Sequence, residues 1–101
     1  MKIAYHVTPR SNVDAILREG LKPAIGPYAS EMGETKTLVW CFPCLEDAYE
    51  MIPVWLEPFY GDDLAILELR IPEDFPVDYT GSDYELVSAV TIPAEYISLY
   101  A

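Results

Sequence analysis

Lys2-Ile3-Ala4-Tyr5-His6-Val7-Thr8, closed by Pro9 and followed by Ser11-Asn12-Val13-Asp14-Ala15-Ile16-Leu17-Arg18-Glu19-Gly20-Leu21, is the stretch that sets the architecture. Ile3, Tyr5 and Val7 alternate with Lys2, Ala4, His6 and Thr8, the period of a half-buried strand, so His6 and Thr8 are expected to share its polar face. Proline has no N–H and restricts the residue before it, which ends the strand at Pro9. Ser11 with Asp14 three residues on has the form of a capping box, and Val13, Ile16, Leu17 and Leu21 recur at helical spacing. A short helix over about 12–19 is predicted, with Asp14 and Arg18 as an i,i+4 pair and Gly20 as its stop.

Working outward, Lys22 to Thr35 holds two prolines and two glycines without sustained periodicity and reads as a long loop, of a length often used as a binding loop or lid. Thr37-Leu38-Val39-Trp40-Cys41-Phe42 is β-branched and aromatic, a strand closed by Pro43. Leu45 to Ile52 carries acids early and apolar residues at Leu45, Ala48, Tyr49 and Ile52, which predicts a second helix ended by Pro53. Val54 to Tyr60 is ambiguous, and Gly61-Asp62-Asp63 is a turn. In Leu64 to Ile71 the set Ala65, Leu67, Leu69 and Ile71 is wholly apolar, so this run is the central strand. Pro72 to Pro76 is a turn and Asp78 to Asp83 a polar loop. Tyr84 to Ile92 and Glu95 to Tyr100 are strand-like, with a break or one helical turn at Pro93-Ala94-Glu95. Several strands with two short helices make an α+β domain.

The 101 residues are enough for one domain spanning 1–101, and 51% hydrophobic residues supply its core. Six cationic against 17 acidic side chains give a net charge of −11, which repels a polyanion and removes the electrostatic case for duplex DNA. The N-terminal segment lacks the apolar core of a secretory signal and no run is long enough to span a membrane, so a cytoplasmic protein with no membrane partner is expected. Cys41 and Cys44 with the single histidine, His6, do not complete a four-ligand zinc site, and no metal is expected.

Tyr5-His6-Val7-Thr8 followed by Ala15-Ile16-Leu17-Arg18-Glu19-Gly20-Leu21 resembles the first motif of the ADP-ribosyltransferase superfamily, which includes DNA-modifying toxins, poly(ADP-ribose) polymerases and RNA 2′-phosphotransferases. Leu38-Val39-Trp40-Cys41-Phe42 with Glu46-Asp47-Ala48-Tyr49 resembles its second motif, an aromatic strand and a short helix. Tyr84-Glu85-Leu86-Val87 with Ile92-Pro93-Ala94-Glu95-Tyr96-Ile97 resembles the third. The resemblance spans most of the chain and implies a small split β-sheet of ADP-ribosyltransferase type. It further implies NAD as substrate and transfer of ADP-ribose to a macromolecular or small acceptor that the sequence does not identify.

Chemistry accounts for the residue types. Cleaving the nicotinamide–ribose bond develops oxocarbenium character, which a carboxylate stabilises; the resemblance assigns this to Glu85. It gives His6 a ribose hydrogen bond, Val7 and Thr8 the dinucleotide-facing strand end, and the backbone of Val7 the nicotinamide amide. Trp40, Phe42 and Tyr49 are the candidates to stack on the nicotinamide, with core packing expected for one of Trp40 and Phe42. Arg10 and Arg18 could meet the pyrophosphate, Arg10 being nearer in sequence, although surface pairing with acids is the commoner fate of an arginine. His-Val-Thr replaces the His-Gly of the polymerases and no Glu-x-Glu occurs, which disfavours arginine as acceptor. The few cations do not supply the basic quartet of the RNA phosphotransferases, which disfavours RNA.

Two alternatives come from other classes. A non-catalytic acidic module on the same fold, binding or inhibiting a basic partner, is supported by the net charge of −11. A thiol–disulfide oxidoreductase using Cys41 and Cys44 is supported by Cys-Phe-Pro-Cys between a strand and a helix, and opposed by the few residues left after the Ile92-Pro93 pair.

Overall fold

The strand that opens the chain, β1 (Lys2–Pro9), and the apolar run Leu64–Ile71, β3, form the longest ladder of the molecule, antiparallel from Lys2 opposite Ile71 to Pro9 opposite Leu64. The computed structural model of the chain describes residues 1–24, 37–79 and 85–101. On the far side of β3 lies β6 (Ile97–Leu99), so the strand order of this sheet is β1-β3-β6 with β3 central, as its alternation predicts. Ala65, Leu67, Leu69 and Ile71 are all fully buried on one face of β3. Burying a leucine-sized side chain contributes about 1.5–3 kcal/mol, so this row is the main apolar anchor.

The second sheet has the order β2-β5-β4, from β2 (Val39–Cys41), β5 (Leu86–Ser88) and β4 (Asp78–Tyr79), all antiparallel. A strand at 78–79 corrects the expectation of a polar loop over Asp78 to Asp83. Its side chains are exposed and polar enough to read as loop, yet Asp78 opposite Val87 and Tyr79 opposite Leu86 place its backbone on the edge of β5. The residues between 80 and 84 and the loop expected to cover a cleft, beyond Ala24, lie outside the described residues. The described part is thus a small α+β fold of two three-stranded antiparallel sheets with short helices.

The helices depart from expectation in three ways. A 3₁₀ turn, Arg10–Asn12, leads into α1 (Val13–Glu19), and its first turn has no side-chain cap, so Ser11 and Asp14 do not form a capping box. Arg18 pairs with the neighbouring Glu19 at 3.3 Å rather than with Asp14. Pro53 does not end α2 (Leu45–Met51): the chain continues through a π turn, Ile52–Leu56, into α3 (Glu57–Tyr60), so the described helices exceed the two expected. Proline is tolerated here because it sits in the first turn of the new segment, and the N–H of Glu57 reaches back to the carbonyl of Ile52.

Two apolar clusters flank the β1–β3 pair. The larger joins Ala4, Leu67, Leu69 and Ile71 with Val13 of α1, Val39, Cys41, Leu86 and Ile92. The smaller joins Val7, Ile66 and Phe42 with Ala48 of α2, and Tyr5, Leu45 and Ile52 pack on it. Both faces of β1 are therefore covered. The face carrying Ala4, His6 and Thr8, read from the alternation as polar and available, instead turns toward the larger cluster: Ala4 and Thr8 are buried and His6 is part-buried.

Candidate functional site

Among the described residues, one backbone bridge joins the two sheets. Tyr5 N–H donates to the Phe42 carbonyl at 2.8 Å and Phe42 N–H to the Tyr5 carbonyl at 2.7 Å, a single antiparallel bridge between β1 and the residue after β2. One step further along β1 the contact changes character. His6 Nδ1 lies 2.7 Å from the Trp40 carbonyl, so an imidazole ring takes the place of the next backbone bond. A sheet that is continuous at Tyr5 is thereby split at His6.

The split leaves Val7 with an open backbone. Val7 lies opposite Ile66, whose N–H donates to the Ala101 carbonyl at 3.0 Å and whose carbonyl accepts from Tyr100 and Ala101 at 2.8 and 3.1 Å. Ile66 therefore turns its polar groups away from β1, which makes Val7 and Ile66 a non-hydrogen-bonded pair of the antiparallel ladder. The N–H and C=O of Val7 must point to the other side, where Tyr5 finds Phe42 two residues earlier. Neither has a hydrogen-bond partner among the described residues.

His6 is held as a neutral ring. Burial lowers its pKa below the ordinary 6.5, opposed in part by the hydrogen bond to the Trp40 carbonyl. Trp40 supplies the carbonyl that His6 uses, and it also carries an indole Nε1–H that is buried with no acceptor among the described residues. A buried donor without a partner costs about 1–3 kcal/mol. Trp40 and Phe42 share a face of β2, since Val39 and Cys41 enter the larger cluster on the other. Phe42 is the one of the two that is core, packed in the smaller cluster.

The remaining candidates are more dispersed. Thr8 is buried, and its Oγ1 accepts from Asn12 Nδ2 at 3.3 Å, a support the sequence reading missed because Asn12 reads equally well as a helix start. Arg10 is engaged by Asp63 at 3.2 Å and by the Leu64 carbonyl at 2.7 Å, so it ties the start of the helical segment to the turn before β3. Arg18 is exposed beside Glu19. Tyr49 stands half-exposed on α2, one residue after the buried Ala48. Glu85 directly precedes β5, at the end of a ladder that closes with Cys41 opposite Leu86. Strand alternation carried back one residue from Leu86 assigns position 85 to the face of Trp40 and Phe42, whereas His6 shares the face of Ala4 and Thr8.

The two cysteines do not converge on one exposed dithiol. Cys41 is buried in the larger cluster, where desolvation pushes its thiol up to about 12, while Cys44 is exposed at the start of α2. A thiol that stays protonated at neutral pH is a poor nucleophile, which argues against the oxidoreductase alternative.

Among the described residues no group of three or more His, Cys, Asp or Glu is placed to hold a metal ion, and no helix is long and apolar enough to cross a membrane. No protein-family model matches the chain, and no curated protein matches it in sequence.

Proposed function

We propose that the chain binds NAD at the split between β1 and β2 and is an ADP-ribosyltransferase-like protein, transferring ADP-ribose to a macromolecular or small acceptor. The observation that carries this reading is the N–H and C=O of Val7, without a partner among the described residues, beside the imidazole of His6. A carboxamide is complementary to that backbone pair, because it offers one acceptor and two donors in a plane. A ribose hydroxyl is complementary to the imidazole. Glu85 is the carboxylate this reading assigns to the oxocarbenium character of the transition state.

Calorimetric titration with NAD, paired with a nicotinamide-release assay on wild type and Glu85→Gln, tests it. The expected outcome is binding by both proteins, with turnover lowered about 10²–10³-fold in the variant, the range for removing one electrostatic stabiliser. Absence of both binding and turnover in wild type at millimolar NAD ends the reading.

A second reading, the non-catalytic acidic module on the same fold, is favoured by one specific observation: alternation places positions 6 and 85 on different faces. Binding of NAD without turnover in wild type, or retention of a basic partner after His6→Ala and Glu85→Ala, is the result that selects it.

A further inference from the structure

From Leu45 to Tyr60 the chain is helical throughout, α2 passing by way of the π turn into α3, and the two sides of this segment differ in kind. Leu45, Ala48, Ile52 and Leu56 belong to the smaller apolar cluster, against β1 and β3. Glu46, Tyr49, Glu50, Pro53, Val54 and Glu57 recur at helical spacing on the other side, and all are exposed. Tyr49 and Val54 are 51% and 60% exposed, so apolar surface is interleaved there with carboxylates. Between Lys36 and Arg70 the sequence has seven acids and no Lys or Arg. Arg10 and Arg70 reach Asp63 and Glu68, outside the segment, and among the described residues no cation pairs with Glu46, Glu50 or Glu57. The helix dipole favours an acid at Glu46, in the first turn of α2; Glu50 lies beyond that turn and repels Glu46 as an i,i+4 like-charge pair.

We propose that this outer face docks a cationic amphipathic helix of another protein, whose Lys or Arg side chains meet Glu46, Glu50 and Glu57 and whose apolar side chains cover Tyr49 and Val54. Charge complementarity sets the occupant. A second copy of the chain, a nucleic acid or an anionic lipid surface would each bring negative charge to a face that already carries it uncompensated, in a chain of net charge −11. Geometry favours a helix: Glu46 to Glu57 spans about 16 Å, roughly three turns, and a partner helix laid along it repeats the same spacing of charges. A lysine or arginine over the Tyr49 ring adds a cation–π contact. The basic character of the partner rests on the acidic-module reading above, while the choice of face rests on the exposed stripe alone.

The probe is a synthetic peptide of about 18 residues built from Lys and Leu, with Leu at helical spacing on one face, and a scrambled peptide of the same composition is its control. Titrated into ¹⁵N-labelled protein, the helical peptide is expected to shift the amides of residues 46–58 and to bind more tightly than the scrambled one. Glu46→Gln with Glu50→Gln is expected to weaken binding roughly three- to tenfold, the worth of two exposed ion pairs. Asp14→Asn with Asp78→Asn makes the same charge change at exposed positions elsewhere and should alter it little. Val54→Asp separates docking from bulk attraction by sign: it adds an acid but removes apolar contact, so docking predicts weaker binding and bulk attraction tighter. An unchanged thermal midpoint shows that each variant is folded, and the wild-type shifts need no variant. Shifts spread over the acidic surface, equal losses in the two double variants, or tighter binding by Val54→Asp overturn the docking face and leave the acidic-module reading standing. Binding of neither peptide overturns both.

Discussion

His6 shows how one side chain acquires two duties from its place in a strand. Its ring bridges to the Trp40 carbonyl, and burial disfavours a second proton. Because the folded-state pKa lies below 6.5, the unfolded chain binds a proton that the folded chain refuses as the pH drops through 6.5. Stability contributed by this group is therefore fully present above 6.5 and is lost progressively as the pH falls toward the lowered folded value. Thermal unfolding followed from pH 7 to pH 5 should show a declining midpoint in wild type and a flatter profile in His6→Asn. The depressed carboxylates Glu19 and Glu73, both surface groups paired to cations, titrate below their usual 4.5 and so outside this interval. An equal decline in both proteins would mean that the imidazole is not the group responsible.

At the level of elements, the joint between α1 and the C-terminal segment depends on a residue without a side chain. Gly20 has φ +90°, and a Cβ there would lie 2.6 Å from the Ile92 carbonyl oxygen, the atom that accepts the Leu21 N–H at 2.9 Å. Gly20→Ala therefore suffers both left-handed strain and a backbone clash, and is expected to destabilise the protein by about 1–3 kcal/mol, read as a lower urea midpoint at unchanged slope. An unaffected midpoint would show that the joint yields freely. Gly20 as a helix stop was legible from its position after Leu17-Arg18-Glu19, and β3 from its alternating apolar set. Other elements were hidden for physical reasons. The two-residue strand Asp78–Tyr79 has no buried side chain to betray it, since only its backbone pairs. The continuation through Pro53 was masked because proline marks the end of one helix and the first turn of another equally well. The polar face of β1 was misjudged because alternation gives the period of a strand but not how many of its faces are covered. Of the site, the proximity of His6, Val7 and Trp40 could be expected only through the family resemblance. The capture of Arg10 by Asp63 left no local signal, the two being far apart in the chain.

At the scale of the molecule, the polar links that join the two sheets through β1 among the described residues are the reciprocal Tyr5–Phe42 bonds and the His6–Trp40 bond. The apolar contacts around them are divided between two clusters on opposite faces, so the line between β1 and β2 is held from both sides but paired along only part of its length. An amide engaged in the bridge exchanges with solvent only when the sheets part, whereas one facing the unpaired stretch needs no such opening. The Val7 amide should accordingly exchange orders of magnitude faster than those of Tyr5 and Phe42, even though the Val7 side chain is as buried as that of Phe42. Adding NAD should slow Val7 selectively if a carboxamide occupies its N–H and C=O, while the Ile66 amide, already bonded to the Ala101 carbonyl, changes little. Slow exchange at Val7 in the free protein would mean that the strands close past His6, and with no open backbone between them the site would have nothing with which to hold an amide.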